Sequence, residues 1–389
     1  GALGGVAIRF TVLMFGQKEL ASNNALVLVL SVVLMVIMTW ICIVGTELSG
    51  RLQSILTIAQ IAALLIFIGV AVYKGLSGLG PAGEVTPSLT WLNPFAQGTS
   101  ALTAGLLLGV FAYWGWESAV NLNEETTDSA STPGRAAILS TIILLITYVG
   151  TAVAVLMLMG PEYMAQNADQ EEMVFAEIAN VALGGWGWIV LLAVAVSAIA
   201  STQTTIIPAS RTALSMARRQ AIPGYFGRIS PKYRTPAVST WWVAGVAIAW
   251  YIFVSLISEN ALYDTLSAMA LLVAFYYSLT GLACAIYFRK ILLKSPKNFL
   301  LIGVGPVVGA IMLIWLLVMA AMDMSNPANS YSGVSWFGMG PPLVIAIVLS
   351  VVGIVLMIAS RMKDTIFWKE RPSVVDLSQV PVSEGGELT

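Results

Sequence analysis

Residues 26–45 read LVLVLSVVLMVIMTWICIVG, twenty positions without one charged side chain. A helix needs about 20 apolar residues to cross roughly 30 Å of hydrocarbon, so this stretch is long enough to span a bilayer. Working outward, eight further segments meet the same test: 52–73, 101–122, 136–159, 186–214, 236–257, 262–288, 299–321 and 341–360. Residues 1–16 are too short and contain Arg9; they read as the last turns of a helix that begins upstream. Connectors rich in Gly, Pro and Asn, at 75–98 and 323–341, carry turn chemistry between the spans. The pattern predicts an all-α polytopic membrane protein with nine full transmembrane helices plus the end of a tenth.

Composition agrees. Of 389 residues 58% are hydrophobic and only 10% charged, against about 25% charged in a soluble globular domain. A net charge of −1 supplies no field to recruit nucleic acid. Histidine is absent, which removes Ser–His and Cys–His catalysis and His-ligated metals. Cys42 and Cys284 lie in apolar runs and read as buried hydrophobes. No phosphate-cradling Walker loop is present, so ATP is not expected as an energy source. Neither an enzyme nor a cofactor-binding protein is indicated.

The distribution of cations orients the spans. If 26–45 runs from outside to inside, the inner segments hold 16 of the 19 Lys and Arg residues, and the outer ones only Lys18 and Lys74. The 160–183 segment, with Glu162, Asp169, Glu171, Glu172 and Glu177, then lies outside. The C-terminus is expected in the cytoplasm, in a cell membrane, with 372–389 as a solvated, disordered tail.

Two spans carry unusual chemistry. In 101–122 an apolar helix meets Phe111, Tyr113, Trp114, Gly115, Trp116, Glu117 and Ser118. An ionisable group inside a span costs about 2.5–3.5 kcal/mol on insertion scales and is usually functional. Gly115 lets the backbone leave helical geometry. One reading is a broken helix, in which carbonyls near 111–113 attract a ligand cation, Tyr and Trp gate, and Glu117 exchanges a proton or meets an amine. The other is a continuous helix with an aromatic packing cluster and a paired Glu117. In 186–214 the run Thr202-Gln203-Thr204-Thr205 lies deep in the span, followed by Pro208. These polar groups either line a cavity or are satisfied by bonds back to their own helix. Gln60 reads as one interhelical hydrogen bond, and Ser267 offers a hydroxyl to the bundle.

The stretch ASRTALSMARRQAIPGYFGRISPKYRTPAVS (209–239) resembles the inner end of the eighth helix in the amino acid–polyamine–organocation transporters. FAYWGWESAVNLNEET (111–126) with PGRA (133–136) is similar to that family's sixth-helix signature, and GTELSGRLQSILTIAQ (45–60) to its helix 4–5 link. The resemblance covers nearly the whole chain, in order. It implies a LeuT-like inverted-repeat bundle: 1–16 as the end of helix 3, 26–73 as helices 4–5, and 101–288 as the second repeat, helices 6–10. Residues 299–360 would be peripheral helices 11–12 and 361–389 the cytoplasmic tail. Helices 1, 2 and most of 3 would lie upstream, and a chain of this extent alone is expected to be inactive.

The resemblance also implies secondary transport of amino acids by alternating access, driven by protons or by exchange. Alternatives are a polyamine or organic-cation permease and a non-transporting sensor with the same fold; nothing resembles a channel filter. Substrate-binding or gating positions would be Phe111 (the gate), Tyr113, Trp114, Gly115, Trp116, Glu117, Ser118, Thr202, Gln203, Thr205 and Ser267. Some proton-coupled relatives carry a lysine where this chain has Gln60, which leaves Glu117 as the candidate coupling group. Partners would be a small-molecule substrate and the lipid bilayer, with a homodimer left open.

Overall fold

The computed structural model describes residues 2–44, 47–83, 85–88, 91, 93–96, 98–121, 126, 128, 131–167, 171–257, 260–363 and 366–369. The expectations for Asp169 and for the 372–389 tail fall outside these residues. Twelve principal helices follow one another: α1 (Ala2–Met14), α2 (Asn24–Val44), α3 (Glu47–Leu76), α4 (Gly98–Ala112), α5 (Ser118–Asn121) and α6 (Thr132–Met159). Then come α7 (Glu171–Leu183), α8 (Trp188–Arg218), α9 (Ala237–Ile257), α10 (Asn260–Tyr287), α11 (Gly305–Asp323) and α12 (Pro341–Met362). A π-helical turn, Phe299–Val304, leads into α11. Among the described residues the one extended pairing is an isolated bridge between Trp336 and Met339.

Among the described residues eight helices are long and apolar enough to cross a membrane. The difference from the nine expected lies at 101–122, which is not one span but the 15-residue α4, a turn, and the four-residue α5. Its physical reason is at Gly115, where φ is +121°, a value that ends any right-handed helix and that side-chain-bearing residues rarely adopt. The acidic 160–183 segment is also more structured than its polarity suggests. Helix α7 occupies most of it, with Val174, Ile178, Ala179 and Ala182 buried on one face. Beside it, partial burial and then the hydrogen bond and charge of Glu177 push the Tyr163 phenol above its ordinary value.

The chain divides into two compact units. The first comprises residues 1–92 and 115–253. Within it α1 packs on α8 and α2, and α3 packs on α6, α7 and α8. Its core gathers Phe10, Phe67, Leu158, Ile178, Val190 and Ala195, with Phe10 set edge-on to Phe175 at 5.7 Å. In lipid, apolar side chains gain little by meeting one another, so close shape matching carries the association. Gly75 illustrates this: a Cβ there would lie 2.8 Å from the Met157 side chain and backbone. Polar ties complete the packing. Arg9 donates to Asn24 Oδ1 at 2.7 Å, and Lys74 Nζ donates to the Val181 carbonyl at 2.8 Å, in the last turn of α7.

The second unit comprises residues 93–114 and 254–389. Helix α10 is its axis, packed against α4, α11 and α12. Gly281 brings α10 within reach of the Pro306 carbonyl, 2.8 Å from where a Cβ would sit. Asp264, fully buried, accepts the Tyr331 backbone N–H at 2.9 Å and so pins the 324–340 connector to α10.

Candidate functional site

The interrupted segment is built from local bonds on either side of Gly115. On the α4 side the last α-helical bond runs from Tyr113 N–H to the Gly109 carbonyl, 2.9 Å, and Trp114 N–H then closes a tighter turn on the Phe111 carbonyl at 3.1 Å. That bond engages one of the three carbonyls expected to be freed. The Phe111 and Trp114 rings meet at 6.3 Å between centroids, tilted by 40°. On the α5 side three successive tight turns restart the helix: Ser118 N–H to Gly115 O (3.0 Å), Ala119 N–H to Trp116 O (3.4 Å) and Val120 N–H to Glu117 O (2.9 Å).

Glu117 has a role in this geometry that the sequence did not suggest. Its Oε2 accepts the Gly115 N–H at 3.2 Å. A carboxylate so placed satisfies a main-chain donor released by the break and holds the turn in shape. Glu117 is partly buried and Trp116 is exposed.

The predicted residues divide between the two units. Phe111, Tyr113, Trp114 and Ser267 belong to the second, and Gly115, Trp116, Glu117, Ser118, Thr202, Gln203 and Thr205 to the first. Each half of the break packs on the helix that carries the remaining candidates of its own unit. Helix α4 lies against α10, which bears Ser267, and α5 lies against α8, which bears Thr202, Gln203 and Thr205. Thr202 and Gln203 are buried, Thr205 is exposed and Ser267 is half-buried.

Helix α8 runs unbroken through Pro208. Thr202 Oγ1 donates to the Ala198 carbonyl at 3.0 Å and Thr205 Oγ1 to the Ser201 carbonyl at 2.8 Å. Their protons are thus held by their own helix, while the hydroxyl oxygens retain accepting capacity. Gln60 Oε1 is buried with no hydrogen-bond partner, where the sequence suggested one interhelical bond. Asp264 was missed altogether. The signal that marks it is a single carboxylate just inside the 262–288 run.

No group of three or more His, Cys, Asp or Glu residues among those described is arranged to hold a metal ion. The arrangement is one of main-chain turns, aromatic faces and hydroxyls.

The sequence profile described as "Amino acid permease" matches residues 3–352. The chain is 26% identical over 209 residues to the human "Asc-type amino acid transporter 1", a match covering 54% of this chain and 39% of that protein. It is 30% identical over 199 residues to an uncharacterised transporter of Mycobacterium tuberculosis, covering 50% and 43%. With the rat "Large neutral amino acids transporter small subunit 2" the identity is 26% over 215 residues, covering 53% and 38%. The chain thus spans about two fifths of the length of the curated relatives it matches. With the profile aligned to nearly every described helix, the chain belongs to the amino acid permease family.

Proposed function

We propose that this protein carries amino acids across a membrane as a secondary transporter that works by alternating access. The observation that carries the reading is the interruption of the 98–121 segment at Gly115, with Glu117 closing its own turn. Broken helices at mid-membrane are where secondary transporters expose main-chain groups to substrate. The relatives' names, which specify amino acids, supply the substrate class.

In this reading Phe111 gates, with Tyr113, Trp114 and Trp116 as further gating surface, and main-chain groups of 113–118 meet the substrate's charged ends. Thr202, Gln203 and Thr205 form a cavity wall, and Ser267 contributes a hydroxyl. Energy comes from a proton gradient or from exchange. Glu117 is the coupling candidate. The LeuT-like repeat, the cytoplasmic C-terminus and the assignment of the spans to family helices 4–12 belong to the same proposal. A polyamine or organic-cation permease is the second reading, favoured by the carboxylate of Glu117; its engagement with the Gly115 N–H weighs toward a neutral zwitterion.

The test is uptake of radiolabelled neutral, basic and acidic amino acids and of putrescine by proteoliposomes holding the full-length protein, at pH 5.5 and 7.5. Saturable uptake of neutral amino acids is expected. Glu117→Gln keeps an acceptor oxygen for the Gly115 N–H but loses the charge, so it should abolish any pH dependence and leave binding in place. An unaltered pH profile in that variant removes Glu117 from coupling, and uptake of putrescine alone overturns the substrate class.

A further inference from the structure

Between Glu177 and Glu259 the sequence has no carboxylate, yet residues 211–234 hold Arg211, Arg218, Arg219, Arg228, Lys232 and Arg234. Arg211 is buried and the other five are exposed. No acid lies within this stretch of chain. The connector from α8 to α9 that bears most of these cations is held in one shape by its own bonds. Ala221 N–H donates to Met216 O, Ser230 N–H to Thr235 O and Arg234 N–H to Ser230 O, each at 2.9 Å. The Ser239 hydroxyl donates to the Phe226 carbonyl, and Thr235 Oγ1 reaches the Ile43 carbonyl at 2.8 Å, tying the connector to the end of α2.

Two of the cations are placed over aromatic rings. The Arg228 guanidinium carbon lies 5.1 Å from the Tyr225 centroid, and Lys232 Nζ lies 5.0 Å from that of Tyr233. Tyr233 in turn meets Trp40, at the end of α2, and Phe226 meets Trp242, at the start of α9. Trp40, Trp241 and Trp242 are all exposed. Cation–π contacts position a positive group without neutralising it. Indoles exposed at the ends of two spans favour the level where headgroup gives way to acyl chain. Arg234 takes φ +55°, a left-handed conformation in which glycine or asparagine costs less.

We propose that this corner of the first unit is a binding site for the headgroup of an anionic phospholipid. Arg228, Lys232 and Arg234 engage the phosphodiester, and Trp40, Trp241 and Trp242 pack at the glycerol level. Cations near an anionic lipid surface and aromatic residues below them are complementary to such a molecule and to no zwitterionic lipid in equal measure. The proposal shares no residue with the candidate site around Gly115 and does not depend on what the protein transports.

The test is native mass spectrometry of the purified full-length protein in detergent, titrated in parallel with dioleoyl-phosphatidylglycerol and dioleoyl-phosphatidylcholine. Tighter retention of phosphatidylglycerol is expected. The triple variant Arg228→Gln/Lys232→Gln/Arg234→Gln should lose about a hundredfold of that affinity, each cation contributing roughly fivefold. The matched triple Arg289→Gln/Lys290→Gln/Lys294→Gln should retain it within about twofold. Equal binding of the two lipids, or equal losses in the two triples, overturns the proposal in favour of diffuse attraction. Displacement of the lipid by glycerol 3-phosphate alone assigns the site to a free phosphate ester and likewise overturns it. Should the triple not fold, Arg234→Gly removes one charge while relieving the backbone, and it should melt no lower than the parent yet bind phosphatidylglycerol less tightly. Unchanged binding in that variant counts against the site.

Discussion

Helix α8 and the α4–α5 segment are both apolar stretches interrupted by polar residues, and only one of them breaks. Helix α8 carries Thr202 to Thr205 and a proline yet runs for 31 residues, with threonine hydroxyls bonded to carbonyls one turn back. The 98–121 segment, with fewer polar positions, stops at Ala112. What separates them is not polarity but the supply of partners. In α8 the hydroxyls of Thr202, Thr204 and Thr205 find acceptors without any change of backbone. In the other segment a glycine at φ +121° and a carboxylate two residues later provide an alternative to the helical ladder. Polar side chains decorate a span; a left-turning glycine with a local acceptor divides it.

The largest expected effect comes from the backbone at Gly115. Gly115→Ala and Gly115→Leu should each destabilise the protein by about 1–3 kcal/mol, the range for residues forced into sparsely populated φ/ψ regions, read as a lowered melting temperature in detergent. Nothing lies within 4 Å of a Cβ at this position, so the two should cost alike. A leucine much more costly than alanine would show that space, not φ, sets the constraint. A smaller effect is expected at Glu117. Glu117→Ala removes the acceptor of the Gly115 N–H and should cost about 1 kcal/mol. Glu117→Gln should cost less, and hydrogen exchange at 113–117 should rise only in the alanine variant. The smallest effect belongs to α8: Thr202→Val and Thr205→Val should each change stability by roughly 0.6 kcal/mol or less. A loss of several kcal/mol at either threonine would mean that its hydroxyl does more than bond to its own helix.

The spans were legible because long uncharged runs have one common solution in lipid, whereas Gly115 beside an ionisable residue left the break as one of two open readings. Helix α7 was hidden by its acids, since its apolar face emerges only when Val174, Ile178 and Ala182 are seen against α3 and α8. The two readings of Thr202–Thr205 were local alternatives that sequence could state and not decide. Asp264 was illegible for a different reason: its partner, the Tyr331 N–H, is 67 residues away, and no periodicity encodes a bond of that reach. The particular role of Glu117 was hidden for want of a φ angle, because its carboxylate meets Gly115 only once the backbone has turned.

That distant bond has a practical consequence. The 324–340 connector is fastened at Tyr331 by Asp264 and again where Gly340 N–H meets the Met324 carbonyl at 3.0 Å. Between the anchors, Phe337 projects with 92% of its surface exposed. The connector therefore works like a stapled hem with a loose tab. An epitope inserted at Phe337–Gly338 should leave both staples intact, and whether an antibody reaches it on unbroken cells reports directly which side of the membrane that tab faces.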